Sequence, residues 1–268
     1  MKKHHILYMA LTALTLGGCS SAGSSLANAI TDPFTPRPNG KPSLTINSDA
    51  NDGLLHSNGN TASSIEIDGQ TYTNGSSLNI GYLWQNRLSD FTYVLKNGTQ
   101  KLEEGQLGVY KRSYTAVVGA QVNKEYDPNT GNEISSDKFQ IRSIQGEPTL
   151  ASRLPSGVIR YEGHAFSGLD DRRPDGQPHG RLNYTIDFVN QKGSGSITGL
   201  RGFGNINLNE SRLSPGQGIV GTASSAGKGQ GHYRLNIFGP NGNEIAGKAY
   251  DFNGDSNHEV GFAGGRVN

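Results

Sequence analysis

Alternation with a period of two, in which the inner positions mix bulky side chains with glycine and alanine, most narrows what this chain can become. In RLNYTIDFV (181–189), Leu182, Tyr184, Ile186 and Phe188 fall on one side and Asn183, Thr185 and Asp187 on the other. GHYRLNIFG (231–239) repeats this, with Tyr233, Leu235 and Ile237 inward and His232, Arg234 and Asn236 outward. NEIAGKAY (243–250) groups Ile245, Gly247 and Ala249, and VIRYEGHAF (158–166) groups Ile159, Tyr161, Gly163 and Ala165. Such spacing belongs to strands with one buried face. An inner face of unequal side chains suits a tightly curved, closed sheet, whose interior tapers. PNGN (240–243) and NGD (253–255) are hairpin turn signals. The last run, HEVGFAGG (258–265), is expected to close a barrel by pairing with the first.

The front half is also β but less regular. Strands are expected in SLTIN (43–47), SIEID (64–68), DFTYVLK (90–96), LGVYKRSYTAVV (107–118) and KFQIRSI (138–144). Turns are expected at DGQ (68–70), KNG (96–98) and DPNTGN (127–132), and RLSD (87–90) reads as a brief helical turn. Pro155 and Gly157 interrupt the pattern and mark a linker, so the strands divide into a β domain over 43–153 and a second over 157–268. Glycine, at 38 of 268 residues, is about twice its usual share and fits a chain of many tight turns.

Cys19 sets the expected location. Lys2 and Lys3, the apolar run Ile6 to Leu16 and the string LGGC (16–19) have the layout of a bacterial lipoprotein signal peptide over 1–18. The apolar stretch is too short for a permanent membrane span. Cys19 is the only cysteine, so after its acylation disulfides, zinc–thiolate sites and cysteine catalysis are excluded. Multiple acyl chains hold a protein durably on a membrane. Ser20 and Ser21 follow without an aspartate, which points to the outer membrane. Residues 19–42, with four prolines in TDPFTPRPNGKP (31–42), read as an extended stalk. The formal charge is +1, and loss of Lys2 and Lys3 brings it to −1, so nucleic acid is not an expected partner.

RYEGHAFSG (160–168), GRLNYTIDFVNQKGSGSI (180–197) and GHYRLNIFGPNGNEIAGKAY (231–250) resemble the meningococcal factor H binding protein family. TYTNGSSLN (71–79), LEEGQLGVYKRSYTAV (102–117) and FQIRSIQGE (139–147) match it in the front half, in the same order and spacing. Each string is weak alone, and their collinear order carries the resemblance. It implies an all-β surface lipoprotein of two antiparallel domains, the first a less regular curved barrel-like sheet and the second an eight-stranded up-and-down barrel. It also implies capture of host complement factor H, hence complement evasion, by a monomer without a cofactor. Related barrels in transferrin-binding and haem-protein-capturing lipoproteins keep another host protein, or a small ligand such as haem, open as alternatives, because a fold does not fix a ligand.

The resemblance also locates contact positions, and here the chain departs from the pattern. Two family glutamates that contact factor H fall on Gly229 and Tyr250, neither of which offers a carboxylate. A basic family residue falls on Asn51. The binding surface is therefore expected around Asn51, Gly229, His232, Arg234, Tyr250 and Phe252, with Trp84 a further aromatic candidate. Trp84 and Phe252 equally suit core packing. His164 and His232 are expected outward and solvated. LDDRRPDGQ (169–177) faintly resembles a calcium loop, but its ligand spacing fails and Arg172 and Arg173 would repel a cation. GKGQG (227–231) lacks the strand–helix setting of a phosphate loop, and no G-x-S-x-G occurs, so no enzyme is expected.

Overall fold

The computed structural model describes residues 41, 43–49, 53–57, 59–214 and 216–267. The signal peptide, Cys19, most of the stalk and Asn51 lie outside the described residues. Among those described, the chain is nearly all β, with a single 3-10 turn at Ala151–Arg153.

Eight strands close into an antiparallel barrel in strict chain order, from Val158–Phe166 through Gly180–Asp187, Lys192–Leu200, Gly204–Ser214, Gly218–Ser225, Gly229–Phe238 and Glu244–Tyr250 to Val260–Arg266. The last pairs with the first, Phe262 opposite Ala165, as the sequence led us to expect. The interior is filled by side chains. Tyr161, Tyr184, Tyr233, Ile186, Ile219 and Phe262 are fully buried in one cluster. The Tyr184 and Tyr233 hydroxyls lie 2.9 Å apart, Tyr233 donates to the Asn209 carbonyl at 2.8 Å, and Tyr161 donates to that of Gly242 at 2.9 Å. Burial without partners is costly for such hydroxyls, and these are satisfied.

In front, a curved seven-stranded antiparallel sheet runs in the order Glu133–Ser135, Thr115–Tyr126, Gln100–Lys111, Leu88–Asn97, Ser64–Ile67 and Gln70–Thr73. Phe139–Gly146 pairs with the other end of the edge that Glu133–Ser135 uses on Thr115–Tyr126. The core of this sheet includes Ile65, Tyr93, Leu107, Val109 and Val118. It also encloses an ion pair: Arg142 reaches Glu103 at 2.7 Å, and Tyr93 and Ser57 donate to the same carboxylate. Removing one partner of such a pair leaves a buried charge and costs about 3–5 kcal/mol.

Two expectations are corrected. RLSD is not a helical turn: Leu88–Asn97 is one continuous strand, and its alternation begins at Leu88, which is buried. LGVYKRSYTAVV is not one strand but the two arms of a hairpin that turns at Arg112–Tyr114. The turn closes with the Arg112 N–H on the Thr115 carbonyl at 2.8 Å. The Glu244 carboxylate, far along the chain, accepts the N–H groups of Ser113 and Tyr114 and the Thr115 hydroxyl, all at 3.0 Å. That partner is invisible to a local reading.

The sheet and the barrel meet through a third apolar cluster, which holds Tyr110, Val117, Phe139 and Ile141 from the sheet, and Phe166, Phe238, Ala246 and Ala263 from the barrel. Phe166 stacks edge-on against Phe139 at 5.9 Å and lies 6.0 Å from Tyr110. A Cβ on Gly261 would stand 2.7 Å from Ile141 and 3.0 Å from Phe166 and Val117. Small residues on the outside of the last strand are thus what lets the front sheet approach.

Candidate partner-binding face

Strand Gly229–Phe238 pairs with Gly218–Ser225 on one side and Glu244–Tyr250 on the other. His232 faces Thr222 and Tyr250; Arg234 faces Val220 and Lys248. Side chains of paired residues share a face, so these six side chains form one patch of outer wall. Val220 is 67 % exposed, His232 is exposed, and Arg234, Lys248 and Tyr250 are part-exposed. The rings of His232 and Tyr250 lie 6.0 Å apart at 37°. The Lys248 ammonium sits 5.2 Å from the Tyr250 ring centre and donates to Glu259 at 2.8 Å. Glu259 in turn accepts the Ile141 N–H at 2.6 Å, so the cation that supports Tyr250 is anchored to the front sheet. A half-exposed tyrosine braced by a cation and an imidazole is held in place before any partner arrives, which reduces the ordering cost of binding.

Gly229 ends the preceding hairpin with φ +85°. A Cβ there would run into the Asn253 side-chain amide, whose oxygen accepts the Gln230 N–H at 3.3 Å while the Asn253 backbone N–H donates to the Gln230 carbonyl at 2.7 Å. The left-handed backbone and the close neighbour both demand glycine. The absence of a carboxylate at 229 is therefore built into two packed turns and is more than a change of side chain.

Phe252 has no surface to offer. It is 1 % exposed and packs edge-on against Phe203 at 5.5 Å, closing one end of the barrel. Asp251 adopts φ +58°, which turns the chain inward just after Tyr250 and separates two residues expected on one face. His164 is likewise not free in solvent: it is half-buried, with Nδ1 3.2 Å from the Tyr110 hydroxyl, because its stretch of barrel wall abuts the front sheet.

Trp84 belongs to a different surface. It is 63 % exposed on the loop 81–87, beside Tyr82, with the Arg87 guanidinium 5.2 Å from its ring centre. Beneath the loop the buried Lys111 ammonium donates to the carbonyls of Ile80, Gly81 and Leu83 at 3.0, 3.1 and 3.2 Å. Burial lowers the pKa of this lysine, and the three carbonyls satisfy its protons. Sequence inspection missed Lys111, since nothing local distinguishes a lysine that turns inward at a strand end.

Residues 152–249 match the family described as factor H binding protein, C-terminal. The match takes in the first seven barrel strands up to Ala249. Among solved structures, transferrin binding protein B of Haemophilus parasuis, as a double mutant, is similar at 15 % identity and a TM-score of 0.46, over 80 % of this chain and 47 % of that one. The haemoglobin receptor HpuA of Kingella denitrificans, in complex with human haemoglobin, is similar at 17 % identity and a TM-score of 0.38, over 68 % of this chain and 84 % of that one. Transferrin binding protein B of serogroup B Neisseria meningitidis is similar at 16 % identity and a TM-score of 0.40, over 81 % and 37 %. The chain spans about half the length of the transferrin binding proteins at most.

Proposed function

We propose that this chain is a lipid-anchored bacterial surface protein that captures a modular host complement regulator of the factor H type. In this reading, acylated Cys19 and the segment 19–42 hold the β body off the outer membrane. The single observation that carries the proposal is the family match over residues 152–249. The barrel interior, packed with Tyr161, Tyr184 and Tyr233, supports use of the outer wall.

The contact chemistry differs from a carboxylate-led one. Gly229 exposes backbone where the family pattern has an acid, and Tyr250, His232 and Arg234 supply an aromatic and cationic patch. Aromatic residues and arginine are favoured anchors of interfaces. A partner suited to this wall presents carboxylates or an aromatic edge, so the preferred regulator is expected to differ in sequence, and hence in host species, from one read by two glutamates.

The test is capture from serum. Full-length protein immobilised through its N-terminus is exposed to sera of several mammals, and retained proteins are identified by mass. Retention of factor H or a related modular regulator from at least one serum is expected. Retention of albumin and immunoglobulin alone, from every serum, would falsify the proposal.

A further inference from the structure

A second, polar cleft of about 390 Å³ opens where the first two barrel strands meet the front sheet. Its floor is the outward face of Val158–Phe166 and Gly180–Asp187, with His164 opposite Arg181 and Glu162 opposite Asn183. Asn86 and Arg112 wall it from the front sheet, and Gln177 from the loop before the second barrel strand.

The cleft is rich in donors and poor in acceptors. The Asn86 side-chain oxygen accepts from Arg112 at 2.9 Å and that of Asn183 accepts from Arg160 at 3.2 Å, which leaves the amide N–H groups of both to donate elsewhere. Glu162 is engaged by Arg160 at 2.7 Å, and Glu244, 3.5 Å from Arg112, is occupied by the hairpin turn. Among the described residues the exposed Arg181 has no ion pair. Burial, then Arg181, Arg112 and Arg173 in that order, hold His164 below its ordinary pKa against the opposing pull of Asp175. Arg181 and Arg112 are the guanidiniums that line the cleft itself.

The loop that supplies Asn86 to the cleft also carries the exposed Trp84. The Arg87 side chain lies against Gly176, the neighbour of Gln177, and its guanidinium lies over Trp84. Trp84 itself is two residues from Asn86 on the loop that Lys111 fixes. Arginine clasps a carboxylate or sulfate through directed N–H groups. An exposed indole offers a flat apolar face. An open, donor-lined cleft whose loop also carries such a face suits a polar ring that carries an oxyanion.

We propose that this cleft binds the carboxylate or sulfate of an acidic saccharide, with Arg181 and Arg112 on the oxyanion and Trp84 against an adjoining sugar ring. The site lies apart from the wall around Tyr250 and does not depend on capture of a complement regulator.

Calorimetric titration of the full-length protein tests this with 3′-sialyllactose, a heparin-derived hexasaccharide and neutral lactose. Binding of at least one acidic saccharide and none of lactose is expected; which one binds identifies carboxylate or sulfate as the source. Arg181→Ala should weaken that binding by about tenfold or more, the loss of one charge-assisted contact, with no change in Tm. Trp84→Ala should weaken it less. No binding of either acidic saccharide at millimolar concentration, lactose binding equally well, or an unchanged affinity for Arg181→Ala would each overturn the proposal.

Discussion

Strands Gly204–Ser214 and Val260–Arg266 belong to one barrel, yet their outward positions face different worlds. The first presents Asn205, Asn207 and Asn209 to solvent. The second presents Gly261 and Ala263 to the front sheet, where both are buried. Glu244–Tyr250 crosses the boundary within a single strand: Ala246 lies in the seam, and Lys248 and Tyr250 emerge from it. Inward positions obey one rule everywhere, because the interior must be filled. Outward positions obey two. Polar side chains mark wall that is available to a partner, and alanine, glycine or a buried phenylalanine such as Phe166 marks wall already spent on the sheet.

Substitutions on the two sides should therefore have opposite consequences. The largest effect is expected from Phe166→Ala in the seam, where loss of a fully buried ring should cost about 3–5 kcal/mol, read from urea unfolding. Gly261→Val comes next. Its added atoms meet Ile141, Phe166 and Val117, and overpacking of this kind costs about 1–3 kcal/mol. A Gly261→Val protein as stable as the parent would mean that the seam is looser than described.

Tyr250→Ala, on the free wall, should shift stability by no more than about 0.5 kcal/mol while weakening retention of the serum partner. If it destabilised the fold as much as Gly261→Val, the distinction between the two walls would be lost.

The smallest effect concerns His164. Its folded pKa is depressed, so as pH falls the unfolded chain takes up the proton first. Its contribution to stability is full above the unfolded value of about 6.5 and is lost as pH falls below it, toward the folded value. His164→Gln should flatten the decline of stability between about pH 7 and 5, measured by denaturant midpoint against pH. An unchanged slope would show that the imidazole is not held neutral by its surroundings.

Much of the barrel was legible in the sequence. The first strand was read over 158–166 as it stands, and closure between the last and first strands followed from HEVGFAGG. The strand Lys192–Leu200 was absent from the periodicity and was implied only by the resemblance over 180–197, as the glycine-spaced return of a hairpin. Its inward positions include Gly193 and Gly195, so there is no apolar alternation to see; the Tyr184 ring fills the space, 2.8 Å from where a Cβ on Gly193 would stand. Gly204–Ser214 hides its pattern differently. Ile206 and Leu208 point inward, and then a bulge shifts the phase so that Leu213 is the next inward apolar residue.

The candidate site was legible only where it follows the ladder. His232, Arg234 and Tyr250 share a face because register dictates it. Of the two readings of Phe252, interface anchor and core packing, the structure takes the second, because its direction depends on the left-handed Asp251, and Gly229 looked like a lost contact because its neighbour Asn253 comes from another turn. Arg112 and Lys111, which shape the cleft and its loop, act through partners distant in the chain. Periodicity carries no information about those.

Hydrogen exchange of the full-length protein with and without its captured serum partner tests the division of the barrel wall most directly. The account predicts slowed exchange in Gly218–Ser225, Gly229–Phe238 and the end of Glu244–Tyr250, with Val260–Arg266 unchanged. Slowed exchange confined to the front sheet, with strand Gly229–Phe238 unaffected, would contradict it.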